Sequence, residues 1–177
     1  MVAGALNIRV APFERRYLDR VLAIERASFG QDGWPVDAFV DYWRQCPDLF
    51  LIAWHGRRIA GYSIARVNWR GAELESIAVD PRYRARGVAR ALLDATVARL
   101  DASTLRLMVE VSNASAVRFY RQYGFVRTRL VKRYYGAGRD AWRMRLQPLT
   151  NRAAYKLSRD REGAVALRPK QQRQKQA

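Results

Sequence analysis

A mixed α/β domain is the fold class this sequence predicts, and three stretches predict it. Leu74 to Leu93, LESIAVDPRYRARGVARALL, alternates apolar and polar residues to Val79, breaks at Asp80-Pro81, and resumes as an apolar run with helical spacing. Thr104 to Gln122 repeats that order, a strand followed by a helix. Leu49 to Val67 reads as two strands joined across His55-Gly56-Arg57-Arg58, a hairpin. The two strand-to-helix units suit crossover connections, and the hairpin suits antiparallel pairing.

Taken in order, Asn7 to Ala11 is the first strand, stopped by Pro12. Phe13 to Phe29 carries Tyr17, Leu18, Val21, Leu22 and Ile24 at helical spacing, with Glu25 and Arg26 near its end. Gly30 to Pro35 punctuates the pattern and leaves Trp34 exposed or folded back. A second helix runs from Val36 to Gln45 on Phe39, Val40 and Trp43, and Pro47 stops it. After the hairpin, the strand Leu74 to Val79 sets Glu75, Ile77 and Val79 on one face and Leu74, Ser76 and Ala78 on the other. The helix Val88 to Leu100 follows. Thr104 to Val111 alternates again. Ser112-Asn113 then caps a helix through Gln122, with Gly124 as its stop. Phe125 to Lys132 and Ala141 to Leu149 are closing antiparallel strands around the loop Arg133 to Asp140.

The 177 residues hold one domain over 1–149, and 49% hydrophobic residues supply its core. The remainder, 150–177, ends in RPKQQRQKQA, with too little apolar surface to offset ordering entropy, and reads as a flexible basic extension. Lys and Arg number 33 against 16 acids, a net charge of +17, of which the extension supplies +6. Such a surplus attracts polyanions without identifying one. One cysteine, Cys46, and one histidine, His55, exclude a disulfide framework and a Cys/His zinc cluster, so no metal site is expected. No signal peptide or membrane span is legible, and a cytoplasmic protein without membrane contact is the expectation.

At the second break, Arg84, Gly87 and Ala89 form R-x-x-G-x-A at a helix N-terminus. Gly87 keeps side chains off the first turn and Ala89 adds a methyl, so unpaired N–H groups can approach an anion, and a pyrophosphate fits. Neither G-x-G-x-x-G nor G-x-x-x-x-G-K-[ST] is present. Downstream, Glu110 ends a strand, Asn113 starts a helix and Tyr120 lies two turns into it. A carboxylate, an amide and a phenol therefore converge at one strand end. The simpler alternatives are solvated arginines, a helix cap, and a glutamate paired with one of the many arginines.

These residues resemble the GCN5-related N-acetyltransferase superfamily. RYRARGVARALL is similar to its acetyl-CoA pyrophosphate motif. N-x-x-A-x-x-F-Y-x-x-Y-G-F, from Asn113 to Phe125, and VKRYYGAGRDAWRM look most like the protein N-terminal acetyltransferases, including the RimI type that acts on ribosomal-protein alanine. The resemblance implies that family's fold, a central, mostly antiparallel twisted sheet flanked by helices, and acetyl-CoA as cofactor. It places Ile77, Ala78 and Val79 beside the pantetheine, Arg84, Arg86, Gly87, Val88 and Ala89 around phosphate, and Asn113 near the distal arm. Glu110 would accept the amine proton, the Val79 N–H would polarise the carbonyl, and Tyr120 would protonate the departing thiolate, as a phenol of reference pKa near ~10 can.

For the acceptor, Trp34 in the Gly30 to Trp34 loop and Tyr134 and Tyr135 in the last loop are expected to wall a peptide slot, with Glu75 offering negative charge. The alternative for the tyrosine pair is cover for the core edge. An N-terminal α-amine titrates near ~8 against ~10.4 for lysine and is the easier nucleophile. A protein N-terminus is therefore the expected acceptor, by direct transfer in a ternary complex. Small amines and lysine remain alternatives, as does a non-enzymatic RNA-associated protein. The chain departs from the RimI type at Arg139-Asp140, where that type often has an acidic residue before the aspartate, and in its basic extension. That extension is a candidate attachment to the ribosome, and a monomer or weak homodimer is expected.

Overall fold

Strongly apolar runs from Phe50 to Val79 dictate strands buried on both faces, and these form the middle of the sheet. The computed structural model describes residues 8–69, 71–100 and 104–146. Strand β1 (Ile8–Pro12) pairs with β2 (Phe50–His55), β2 with β3 (Arg58–Asn68), and β3 with β4 (Gly71–Val79), all antiparallel. Strand β4 pairs in parallel with β5 (Leu105–Glu110). Strand β7 (Ala141–Leu146) inserts antiparallel between β5 and β6 (Phe125–Val131), giving the order β1-β2-β3-β4-β5-β7-β6. The result is the mixed α/β fold with a largely antiparallel central sheet. The proposed boundary at residue 149 and the basic extension lie outside the described residues.

Helices α1 (Leu18–Phe29) and α2 (Val36–Gln45) cover one face, and α3 (Val88–Arg99) and α4 (Ala114–Tyr123) the other. Adjacent residues of β3 mark the two sides. Tyr62 bonds to Glu25 of α1, whereas Ser63 lies 3.2 Å from the Thr96 hydroxyl of α3. Phe39 of α2 meets Tyr62 edge-on at 5.7 Å, and Tyr123 of α4 donates to Asp94 of α3 at 2.6 Å.

Helix α1 starts five residues later than the periodicity predicts. The Phe13 N–H donates to Phe50 O at 2.7 Å and its ring stacks on Phe50 at 4.1 Å, so the sheet holds this residue. Arg15–Tyr17 then forms a short 3₁₀ turn. At the other end of the core, Gly61 is required by packing. A Cβ there would stand 2.7 Å from Ala78 O and 3.1 Å from Val88 Cγ1, so glycine lets the first turn of α3 sit down on the sheet.

The alternation expected along β4 is broken by a bulge. Ile64 pairs with Ser76 and Ala65 with Leu74, which leaves Glu75 as an extra residue without a register partner. Glu75 bonds to Arg66, and Ser76 lies 3.1 Å from the Tyr62 hydroxyl. Arg66 and Tyr62 share a face of β3, so Glu75 and Ser76 both point to the α1/α2 side. Ile77 and Val79, opposite Ser63 and Gly61, face α3.

Candidate active site

The register between β4 and β5 ends early. Ala72, Glu73 and Leu74 pair with Leu105, Arg106 and Leu107, and the pairing stops there. From Glu75 on β4 and Met108 on β5 the strands diverge and open a gap in the sheet. Asp80 donates its N–H to Ala60 O at 2.8 Å, toward β3. Backbone groups alternate along a strand, so the N–H of Ala78 also turns to β3, and those of Val79 and Ile77 turn into the gap. Ile77, Ala78 and Val79 thus line the opening with main-chain groups.

At the head of this gap sits the α3 N-terminus. Gly87 is its N-cap in the left-handed conformation, at φ 78°, and Ala85 two residues earlier is also left-handed, at φ 56°. Non-glycine residues seldom adopt that conformation, and here it turns successive N–H groups toward one point. Val88 and Ala89 bury their side chains in the core and leave only their N–H groups to a ligand, while Arg84 and Arg86 are exposed. Arg84 Nε lies 3.5 Å from Val79 O, which ties the turn to the gap. Asp80 anchors it from below by accepting from the Arg82 N–H at 2.9 Å, from the Arg82 side chain and from Arg20. The two guanidiniums, Arg82 first, hold its carboxyl well below the usual range.

Across the gap, α4 presents Tyr120. Its side chain is wholly buried between Phe119 and Phe125, and its hydroxyl has no hydrogen-bond partner among the described residues. Burial, and to a lesser degree Tyr135, pushes the phenol well above its ordinary value, so it keeps its proton at neutral pH. Tyr123, a turn further along α4, packs its ring 6.0 Å from that of Phe125 and donates its hydroxyl to Asp94. Asn113 caps α4, its side-chain oxygen accepting from the Ala116 N–H at 3.1 Å, and donates its own N–H to Glu110 O at 3.0 Å. The cap role is therefore filled.

Glu110 ends β5 on the acceptor side and is 6% exposed. Arg139 donates to it through Nε at 3.2 Å and Nη2 at 3.4 Å, and to Asp32 through Nη1 at 3.3 Å and Nη2 at 3.2 Å. One guanidinium therefore joins the α1–α2 loop, the β6–β7 loop and the end of β5. Trp34 is folded back, stacked on Tyr42 at 4.8 Å, and its N–H donates to Glu25 at 2.8 Å. Glu75 is buried against Arg66 and, with Glu73, raises the pKa of Tyr42 after burial has done so first. Tyr134 is half-buried beside the same two glutamates. Tyr135 differs from the expected slot wall. It is 3% exposed, donates its hydroxyl to Met108 O at 3.1 Å, and covers the core edge with Met108 and Ala141.

Sequence reasoning missed Glu25, Asp32, Tyr42 and the partnering of Arg139. Glu25 is buried on α1 and accepts from both Tyr62 and Trp34. Burial outweighs those two hydrogen bonds and raises its pKa to about 7. Among the described residues no cluster of His, Cys, Asp and Glu could hold a metal ion, and no helix is long and apolar enough to cross a membrane.

The residues present fit an acyl-CoA. An unmatched buried hydroxyl costs about 1–3 kcal/mol, and a phenol kept in that state beside an open strand edge calls for a polar partner from outside the chain. The left-handed turn at α3 suits a diphosphate. Fold and cleft together are those of an acyltransferase, with an opening between two splayed parallel strands. The chain belongs to the acetyltransferase (GNAT) family, whose model matches residues 17–125. It is 30% identical over 138 residues to an uncharacterized N-acetyltransferase of Methanocaldococcus jannaschii, covering 75% of this chain and 86% of that protein. It is 30% identical over 151 residues to the N-alpha-acetyltransferase RimI of Mycobacterium tuberculosis, covering 82% and 96%. Among solved structures, the ribosomal-protein-S18-alanine N-acetyltransferase of Escherichia coli superposes with a TM-score of 0.70 at 29% identity, covering 78% of this chain and 92% of that one.

Proposed function

We propose that the chain acetylates the N-terminal α-amine of a protein, by direct transfer from acetyl-CoA in a ternary complex. The observation that carries the reading is the guanidinium of Arg139 lying between Glu110 and Asp32. Carboxylates from the α1–α2 loop and from the end of β5 make a cation-binding position opposite the splayed edge of β4. An acceptor ammonium has the charge to take it. The likeness to N-terminal acetyltransferases supports the same acceptor class.

The N–H groups of Gly87, Val88 and Ala89, with Arg84 and Arg86, would hold the diphosphate of acetyl-CoA and Ile77 to Val79 would flank its arm, and the bound group would supply a thioester. Glu110, released from Arg139, accepts the proton of the amine directly or through one water. The Val79 N–H, fixed by its strand, donates to the carbonyl oxygen as charge develops there. Tyr120 holds the proton that the leaving sulfur requires. Trp34, Tyr134, Glu73 and Glu75 line the approach of the acceptor.

A second reading is favoured by one feature. Glu110 and Asp32 face one position across the Arg139 guanidinium, and a pair of carboxylates so placed also suits a small polyamine. Acetyl transfer to a panel of N-terminal peptides starting with Ala, Ser, Met or Gly, peptides with only a lysine amine, and polyamines separates the two when mass spectrometry locates the acetyl group. Preferential α-amine modification is expected; turnover confined to polyamines would overturn the proposal.

A further inference from the structure

The arginines that look scattered along the sequence converge in the fold. Between residues 105 and 146 there are ten Lys or Arg and two acids, a surplus of eight, whereas 1–104 carries a surplus of only three. Both acids are already engaged, Glu110 by Arg139 and Asp140 by Lys132 at 2.8 Å. Six exposed arginines are left around the last strand of the sheet. Arg127 and Arg129 lie on β6, Arg143 and Arg145 on β7, and Arg118 and Arg121 on α4, and none has a carboxylate partner among the described residues.

Their placement costs the fold energy. Arg129 stands directly across from Arg143 in the β6–β7 register, and like charges in that position repel. Charges that protect a sheet edge from pairing with another chain explain Arg127 and Arg129 on the edge strand. They do not explain Arg143 and Arg145 on an interior strand, or Arg118 and Arg121 on a helix. The two sides of the edge also differ in shape. On the α4 side, Val111, Ala114, Val117 and Arg118, Arg121 and Arg127 line an open groove of about 570 Å³, an apolar floor rimmed by guanidiniums. The Arg127 guanidinium lies over the Trp142 ring, 4.8 Å from its centroid. Helix α4 turns Tyr123 toward α3, and Arg121 faces away from it, so this groove lies on the flank of α4 away from the α3 turn.

We propose that α4, β6 and β7 form a docking surface for the phosphate backbone of RNA that wraps around the β6 edge, with Arg118, Arg121 and Arg127 on the α4 side and Arg129, Arg143 and Arg145 on the opposite face, the one that carries Met108 and Tyr134. Guanidiniums bind phosphate oxygens in bidentate pairs. The repeats available here, about 4.8 Å between strands and roughly 6.7 Å between Arg143 and Arg145 along one strand, set several such forks side by side. On the α4 side, the apolar floor between Arg118, Arg121 and Arg127 accepts a sugar or base face, which an acidic polypeptide would leave unused. The inference rests on charge and groove shape and is independent of the acceptor proposed above.

The test uses the full-length chain and a fluorescent 20-nucleotide single-stranded RNA, with DNA of the same sequence and polyglutamate as competitors, across a salt series. Two triple variants, Arg118→Gln/Arg121→Gln/Arg127→Gln and Arg129→Gln/Arg143→Gln/Arg145→Gln, remove one side each. Each is expected to weaken RNA binding at least tenfold and to reduce the slope of log Kd against log salt by about 0.7 per lost phosphate contact, the value for a single strand. Acetyl-CoA affinity should be unchanged, which also verifies folding. If a triple variant fails that check, the single variants Arg121→Gln and Arg143→Gln, each expected to lose about threefold, take its place. Unaltered RNA affinity in folded variants would overturn the proposal, and so would polyglutamate displacing RNA at equal charge concentration, which would mark the surface as one for acidic proteins.

Discussion

On the β4 side of the cleft, the groups that face a ligand are main-chain N–H groups, held by strand register and by the left-handed turn before α3. On the loop side they are side chains, each held by another side chain from a distant element: Arg139 by Glu110 and Asp32, Trp34 by Tyr42. The contrast carries a lesson about change. A backbone surface keeps its chemistry under most substitutions and is lost only when the chain cannot take the required conformation. A side-chain surface is rewritten one residue at a time. One cleft can therefore keep a fixed donor while its acceptor varies.

Four measurements would break or sharpen that contrast. The largest expected effect is at Tyr120, the proposed acid. Tyr120→Phe should lower the single-turnover rate by about 10²–10⁴-fold, the usual worth of a positioned acid. Acetyl-CoA affinity should hold, and the melting temperature should stay level or rise, because the lost hydroxyl has no partner in the fold. An unchanged chemical rate removes the role of acid from this residue.

Next is Glu25, which ties the acceptor loop to β3. Its folded pKa of about 7 lies above the 4.5 of the free group, so the folded state binds the extra proton. Stability from this residue is fully present at low pH and is lost as pH rises from about 4.5 through 7, by at most about 3 kcal/mol. Glu25→Gln should flatten that slope in urea titrations run between pH 5 and 8. A slope identical to wild type would mean the carboxyl titrates normally.

Gly87→Val tests the backbone half. A branched side chain at φ 78° costs about 1–2 kcal/mol and crowds the first turn, so acetyl-CoA binding by calorimetry should weaken between tenfold and a hundredfold. Retention of full affinity would show that the turn is not where phosphate is held. The smallest effect is expected at Arg139. Arg139→Ala should lower the acceptor KM about threefold with kcat little changed, since no guanidinium then needs displacing; a raised KM would mean that Arg139 shapes the slot and does not occupy it.

The local structure on the β4 side of the cleft was the legible part. Its turn, helix start and strand are contiguous from Leu74 to Leu93, and contiguous patterns encode local structure. The hairpin, the crossovers and the Asn113 and Gly124 caps were readable for the same reason. The acceptor half was not, because Arg139 meets Asp32 across 107 residues and Tyr62 meets Glu25 across 37. Nothing in the spacing of either pair announces a contact. Tyr135 looked like its neighbour Tyr134 in sequence, and only the closing of the loop over Met108 separates a packed ring from a half-exposed one. The charge of the domain could be counted in the sequence but not located there, since residues on α4, β6 and β7 become neighbours only when β7 inserts between β5 and β6.

Glu75, the odd residue in β4, behaves like the end of an extra half-row in a crystal lattice. A dislocation of that kind cannot be smoothed away locally, because the count on one side exceeds the count on the other by one. The lattice parts just beyond it. In this sheet the last β4–β5 pair is Leu74 with Leu107, immediately before the fault. The mismatch of one residue between β3 and β4 thus separates a zipped sheet from one with a slot, and a chain shortened by that residue would be free to close the seam. The room for chemistry is set by how many residues are present there more than by which ones they are.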